Sequence, residues 1–230
     1  MYNNIIIVPY RNREKQLNYF MENVVPLVKT NLQNTKIIII EQEQGKIFNK
    51  GVLMNIGFKM YKNKTIYFIQ NDIDLTPKKK CLEEYYSKNI ENNEVLAILT
   101  SPCNVYGGII KISNDAIHKI NGYPNDIWGW GCEDKALQNR GEFNNLKKTT
   151  IFIHNNKLRD DEYFKTFDDT KDRVTTYLNN NHRIHYYNFQ HLDNNEKNER
   201  INNNGLNTLE YTIIERKNLN SIVELIKVDF

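Results

Sequence analysis

The stretch Trp128-Gly129-Trp130-Gly131-Cys132-Glu133-Asp134 holds both tryptophans of the chain, two glycines and two adjacent carboxylates. Indole faces stack on sugar rings and other rigid ligands at little entropic cost. Glycines let a backbone bend or move, and a carboxylate held there can take a proton from a substrate hydroxyl. A tight turn into a helix, with both acids decorating its N-terminus, accounts for the same residues equally well. A second pair of acids, Asp72 and Asp74, follows an apolar β-branched run. Alternation along an extended chain sends both to one side, where they suit a hard divalent cation that also binds phosphate oxygens. An isolated Asp-x-Asp is common and usually marks a turn or a cap. Pro9-Tyr10-Arg11-Asn12-Arg13 puts two guanidiniums two residues apart, suited to bidentate recognition of a diphosphate; the plain alternative is an exposed basic turn. Tyr106-Gly107-Gly108 reads either as a close approach of backbone to ligand or as a simple turn. His182, His185 and His191 cluster late in the chain, and a neutral imidazole there could complete a metal site begun by Asp74. Their spacing matches no zinc motif.

The elements that must position these groups follow from apolar periodicity. Residues 4–8, 36–40 and 65–69 are short apolar, β-branched runs that read as buried strands. Between the first two, Leu17, Phe20, Met21, Val24 and Val28 recur at helical spacing, with Pro26 near the C-terminal end. Between the second and third, Asn49 can cap a helix carrying Val52, Leu53, Ile56 and Met60. Gly57 inside that helix is mildly unfavourable, which implies a close approach there. This β-α-β-α-β start predicts a parallel sheet with helices on its faces. Ligands in such sheets sit beyond the carboxyl ends of the strands, where residues 9–13 and 72–74 fall. Further strands are expected at 95–99, 108–112 and 149–153. A helix capped by Ser113 is expected over 114–120, and another over about 133–140, closed by Gly141. Residues 157–181 read as a helical insertion or a mobile excursion, and the Asn-rich 194–204 as a loop. Residues 209–216 and 222–228 make a closing hairpin.

Composition narrows the function classes. The chain has 230 residues, 40% of them apolar and 11% aromatic, enough for a substantial core and too apolar for disorder. Lys and Arg total 31 against 28 Asp and Glu, which gives no case for nucleic acid or an acidic membrane surface. Cys81, Cys103 and Cys132 are widely spaced, without a CxxC pair, and suggest a reducing compartment. No apolar run is long enough to span a bilayer, and Pro9-Tyr10-Arg11 interrupts anything resembling a signal peptide. The expectation is a soluble cytoplasmic protein, and the abundance of Asn, Ile and Lys fits an AT-rich genome such as that of a virus.

Taken together and in this order, the segments resemble the β-1,4-galactosyltransferase family (glycosyltransferase family 7), inverting enzymes that use nucleotide sugars. The family's Pro-aromatic-Arg-Asn-Arg is matched by residues 9–13, its Phe-Asn-Arg by Phe48-Asn49-Lys50, and its Leu-Asn-Val-Gly-Phe by Met54-Asn55-Ile56-Gly57-Phe58. Its Asp-Val-Asp-Leu-x-Pro appears as Asp72-Ile73-Asp74-Leu75-Thr76-Pro77, and its aromatic-Gly-Gly as Tyr106-Gly107-Gly108. The run Ile120-Asn121-Gly122-Tyr123-Pro124-Asn125, followed by residues 128–134 and by Asn139-Arg140, matches best. Gly205-Leu206-Asn207-Thr208-Leu209 and Tyr211 also fit. The likeness runs from about residue 5 to 229 and is poorest between 141 and 188.

The resemblance implies an α/β fold of the GT-A (Rossmann-like) type, with a mostly parallel central sheet, helices on both faces and a C-terminal hairpin. It implies one domain over 1–230, with a nucleotide-binding half to about residue 77 and an acceptor and catalytic half beyond. It also implies roles. Asp74 and His191 would ligate Mn²⁺ or another divalent cation. Pro9, Tyr10, Arg11, Arg13, Phe48, Lys50, Asp72, Ile73, Tyr106, Gly107 and Gly108 would hold a UDP-sugar. Trp130 would cover the sugars in a loop that closes after donor binding. Glu133 and Asp134 would face a glycan acceptor, with Asp134 as general base.

The sequence also departs from the family pattern. Asn188 stands where a methionine ligand is common, which leaves His185 as a possible substitute. Lys50 replaces an arginine, Cys132 a glycine and Lys135 an acid. Val105 occupies a position that helps select the donor. Galactose or an N-acetylhexosamine is the expected sugar. UDP-N-acetylglucosamine or UDP-glucose as donor, or a catalytically silent carbohydrate-binding or scaffold protein, are the rivals.

Overall fold

The computed structural model describes residues 1–99, 105–152, 160–167, 186 and 188–230. Cys103, His182, His185 and most of 157–181 lie outside these described residues.

Three parallel strands form the centre: β1 (Tyr2–Tyr10), β2 (Thr35–Gln42) and β3 (Thr65–Asn71), with β1 between the other two. Their β-branched runs are covered on both faces, and Ile5, Ile6, Ile7 and Val8 are fully buried, which is why they do not alternate with polar residues. The chain leaves β1 through α1 (Glu14–Asn23) and α2 (Val25–Asn31), where the spacing predicts one helix. The break falls at Val24, and Pro26 lies in the first turn of α2, where its missing N–H costs nothing. The crossover from β2 to β3 uses α3 (Lys50–Met60) on the opposite face. Gly57 is the close approach that its helical position implied: a Cβ there would stand 2.7 Å from the Ile7 side chain.

After β3 comes a short strand, β4 (Leu75–Pro77), then α4 (Lys79–Cys81), which runs into a π-helical turn, Leu82–Tyr86. β5 (Glu94–Leu99) and β6 (Ile109–Ser113) follow, β6 antiparallel to both β5 and β3. Ser113 caps α5 (Asn114–Lys119), accepting from Ala116 N at 3.0 Å. The helix α6 (Glu133–Phe143) continues past Gly141. That glycine does not end the helix; it makes room for the buried Tyr106 ring, which would lie 3.1 Å from a Cβ. The left-handed residue after the helix is Asn145 instead, with φ 57°.

β7 (Lys147–Phe152) pairs parallel with β5. β8 (Phe164–Thr166) pairs with β4 in a two-stranded ribbon, so part of the 157–181 stretch is extended chain lying against the segment that follows Asp74. Residues expected to form an Asn-rich loop instead form α7 (Asn194–Asn202), because Asp193 and Glu196 close a capping box at its start. The hairpin β9 (Thr212–Asn218) and β10 (Val223–Asp229) closes the sheet, with β10 parallel to β2. The order across the eight-stranded sheet is β7-β5-β6-β3-β1-β2-β10-β9. Among the described residues no helix is long and apolar enough to cross a membrane.

Candidate active site

From β1 the chain crosses to β2 on one side and then returns to β3 on the other, so the carboxyl ends of these strands open a crevice at the switch point. A cleft of about 810 Å³ occupies it. Pro9, Arg11 and Arg13 come from the end of β1, and Gly45, Lys46 and Phe48 from the segment after β2. Asp72, Ile73 and Asp74 come from the end of β3, and Trp130, Glu133 and Asp134 from the second half of the chain.

The floor of the cleft is built around Lys50, in the first turn of α3. Asn49 caps that helix, its Oδ1 accepting from Val52 N at 3.0 Å while its Nδ2 donates to the Asn125 carbonyl at 2.8 Å. The backbone N of Asn49 donates to Gln42 Oε1 at 2.8 Å. The helix start is thus wedged between the end of β2 and the turn at residues 122–125. Lys50 is buried, and its Nζ donates to Asp72 Oδ2 at 3.1 Å and to Asp134 Oδ1 at 3.0 Å, with Glu133 Oε1 at 3.6 Å. Burial works to lower the Lys50 pKa, but Asp134, Asp72 and Glu133 outweigh it and hold the ammonium well above its ordinary value. Burial pushes the Asp134 carboxyl up to about 8; Lys50 opposes the rise, and Glu133 and Asp72 add to it.

Gly107 and Gly108 lie behind these acids and do not line the cleft. A Cβ on Gly107 would stand 2.6 Å from Asp134 Oδ2, and the Gly108 carbonyl accepts from Asp72 N at 3.3 Å. Both glycines therefore let the backbone approach the carboxylates.

The rim is a different construction. Arg11 lies 5.3 Å from the Phe48 ring centroid and donates through Nη1 to the Lys46 carbonyl at 2.6 Å. Opposite, Gly129, Gly131 and Cys132 all have positive φ, at 82°, 99° and 77°. Cysteine stands in a left-handed conformation that glycine would take more easily. Trp130 is 49% exposed at the cleft mouth.

Besides Gly107 and Gly108, three more expected residues do not reach the cleft. Tyr10 is buried in the core beneath α1 and α2, and Tyr106 is buried against α6 with its hydroxyl pushed up to about 12 by burial. The tyrosines support the arginine and glycine segments from behind. His191 is exposed at the end of a 3₁₀ turn, Phe189–His191, anchored by buried Phe189 and outside the cleft lining. Among the described residues no three His, Cys, Asp or Glu side chains cluster tightly enough to hold a metal by themselves.

Two structural residues had no assigned role in the sequence reading. Arg140 is fully buried, donating to the Asn121, Gly122 and Asn204 carbonyls and so fixing α6 to the loops beneath the site. Asn55 accepts from Tyr123 N at 2.8 Å and donates to the Tyr123 carbonyl at 2.7 Å, pinning the 122–125 turn to α3. Their motif positions were the available signal; nothing in spacing told structural from chemical roles.

Residues 1–87 match the N-terminal region of glycosyl transferase group 7, and residues 99–188 match the N-terminal domain of galactosyltransferase. The chain belongs to the β-1,4-galactosyltransferase family. Human beta-1,4-galactosyltransferase 4 is 33% identical over 149 residues, 62% of this chain and 43% of its own length. The chain therefore spans about two-fifths of the length of such curated relatives. Across nearly the whole chain, the fold is similar to the catalytic domain of Drosophila beta1,4galactosyltransferase 7 in complex with xylobiose. The TM-score is 0.76 at 21% identity, covering 99% of this chain and 94% of that one. A point mutant of that Drosophila enzyme, in complex with manganese, UDP-Gal and xylobiose, superposes with a TM-score of 0.77 at 20% identity, with the same coverage. The fold is GT-A, as the family likeness implied.

Proposed function

We propose that this chain is an inverting, metal-dependent glycosyltransferase that moves a hexose from a UDP-sugar to a hydroxyl of a glycan acceptor. One observation carries the reading. The acids at the tip of β3 and the acids at the start of α6 share one cleft, with Lys50 within 3.6 Å of Asp72, Glu133 and Asp134. Pro9, Arg11, Arg13 and Phe48 supply the nucleotide and diphosphate side, and Glu133 with Asp134 the acceptor side. Residues 1–77 and 78–230 act as two halves of one domain, since one sheet takes strands from both.

Asp74 and its neighbour Asp72 are hard oxygen donors lining the cleft. Such a pair fits Mn²⁺ or Mg²⁺, which is commonly held by one or two carboxylates together with substrate phosphates and water. Asp74 would hold the cation; a ligand role for His191 requires its turn to come to the cleft. When bound, the cation neutralises charge developing on the departing diphosphate. In a single in-line displacement, Asp134 accepts the acceptor hydroxyl proton as that oxygen attacks the anomeric carbon. The bond to the diphosphate breaks, and Arg11 and Arg13 stabilise the UDP that leaves. Trp130 and the rim exclude water, which would otherwise compete as acceptor.

Val105 and Lys50 differ from the family pattern at donor-side positions, so UDP-N-acetylhexosamines and UDP-glucose belong in the test beside UDP-galactose. A catalytically silent scaffold has no use for cation-binding acids and a base in one cleft. Three widely spaced cysteines without a CxxC pair support a reducing, cytoplasmic setting. The deciding experiment is UDP release from that donor panel with glycan acceptors, with and without chelator. Turnover of one donor, abolished by excess chelator, is expected. No release from any donor sinks the reading, and full activity in chelator removes the cation from it.

A further inference from the structure

The last strand of the sheet ends against both rims of the cleft. The ring of Phe230 lies 5.8 Å from that of Trp128, their planes tilted by 33°. Beside it, Lys46 Nζ donates to Asp229 Oδ1 at 3.0 Å and to the main-chain oxygen of Phe230. Lys46 belongs to the facing rim, and the two rims are tied by Gly129 N donating to the Phe48 carbonyl at 2.7 Å. Residues 229 and 230 therefore touch the loop that carries Trp130 and the loop that carries Lys46 and Phe48.

The two sides of this junction differ in how firmly they are built. β10 pairs with β2 over residues 223–228 and buries Val223, Ile226 and Val228. The rim is anchored at its ends by buried Ile127 and Cys132, and between them it carries glycines at positive φ and a half-exposed indole. We propose that Phe230, steadied by the Lys46–Asp229 tie, is a positioning residue: it braces Trp128 and thereby sets where Trp130 stands over the cleft. Phe230 acts through Trp128. The brace exists whatever the cleft binds; only its consequence for transfer rests on the function proposed above. For transfer, a displaced rim leaves donor and acceptor short of the reacting geometry, where an error of about 1 Å can cost as much as a hundredfold.

Because Trp128 and Trp130 are the chain's two tryptophans, emission excited at the red edge of the absorption band, where the 14 tyrosines do not absorb, reports on this loop alone. The test compares acrylamide quenching and time-resolved anisotropy of the unliganded wild type, Phe230→Ala, Phe230→Tyr and Asp229→Asn. With one face of Trp128 uncovered, Phe230→Ala should raise quenching about twofold and enlarge the fast anisotropy decay. Phe230→Tyr should match wild type, and Asp229→Asn should fall between. Unchanged quenching and anisotropy in a Phe230→Ala protein that folds by circular dichroism overturns the brace, as does a Tyr variant as loose as the Ala one. Should Phe230→Ala not fold, Phe230→Leu, which keeps apolar volume without the ring, is read in its place with the same two outcomes. In transfer assays normalised to the folded fraction measured by circular dichroism, Phe230→Ala should lower kcat about tenfold while the KM for the UDP-sugar holds; the normalisation matters because loss of folded enzyme alone also lowers apparent kcat at constant KM. A wild type that turns over no donor fails the functional reading, and the emission measurements still decide the brace.

Discussion

The floor and the rim of the cleft solve opposite problems. The floor packs one ammonium against three carboxylates, with Lys50 and Glu133 buried and Asp72 and Asp134 partly exposed to the cleft, all held by α3, α6 and the end of β3. Charges out of water tolerate little movement, because each depends on a partner about 3 Å away to offset its desolvation. The rim carries Trp130 half in solvent on a backbone with positive φ at Gly129, Gly131 and Cys132. Groups that must meet a reacting atom belong on the rigid part, and groups that must let a substrate in and cover it belong on the part that can move. The difference predicts that changes to the floor register in stability and chemistry together, while changes to the rim register mainly in turnover.

The largest expected effect is on the floor. Lys50→Met removes the shared counter-ion and leaves the floor carboxylates uncompensated, and unfolding free energy in urea should fall by about 3–5 kcal/mol. Lys50→Arg should recover most of it. A loss no greater than that of an exposed lysine would show that the floor is not held by charge.

Asp134→Asn keeps the side-chain shape and removes the carboxylate proposed as the base. Transfer should drop at least about a hundredfold while UDP-sugar binding by calorimetry survives. Unchanged transfer would remove Asp134 from the role.

The same residue sets a pH dependence. Asp134 accepts a proton only when ionised, and burial holds its carboxyl near 8. Below that value the active fraction rises with pH, so kcat/KM should climb up to about tenfold per pH unit and level off above it. A profile flat from pH 5 to 9 contradicts this.

The smallest effect belongs to the rim. Gly129→Ala forces a side chain onto φ 82°, a local cost of about 1–2 kcal/mol. The loop can relieve it by releasing the Phe48 carbonyl, so kcat should fall while the melting temperature barely moves. A melting temperature that falls as far as in Lys50→Met would erase the distinction between rim and floor.

Much of the site was legible because its chemistry sits in short contiguous motifs. Asp72 and Asp74 follow a run whose β-branched residues announce a buried strand, and the topology then puts them at a ligand-binding edge. Asn49 and Ser113 were readable as caps, because a cap is decided within one turn of helix. Gly141 was misread for a related reason: a glycine late in a helix looks like a terminus, and only the Tyr106 ring packed over it shows otherwise. The same limit hid α7, whose asparagines read as loop until Asp193 and Glu196 close its first turn. Tyr10 and Tyr106 lie inside recognisable motifs, yet which way a side chain faces depends on the neighbouring element.

By itself the sequence determined the parallel start of the sheet, the acids that line the cleft and the family, because local periodicity and motif spacing carry them. Tertiary structure alone decided that Lys50 and Asp134, 84 residues apart, share a hydrogen bond, and that Arg140 and Asn55 are scaffold. It also decided that Phe230 meets Trp128. Periodicity reports which face of an element is buried, whereas contacts between distant segments are fixed only when the sheet closes and brings their ends together.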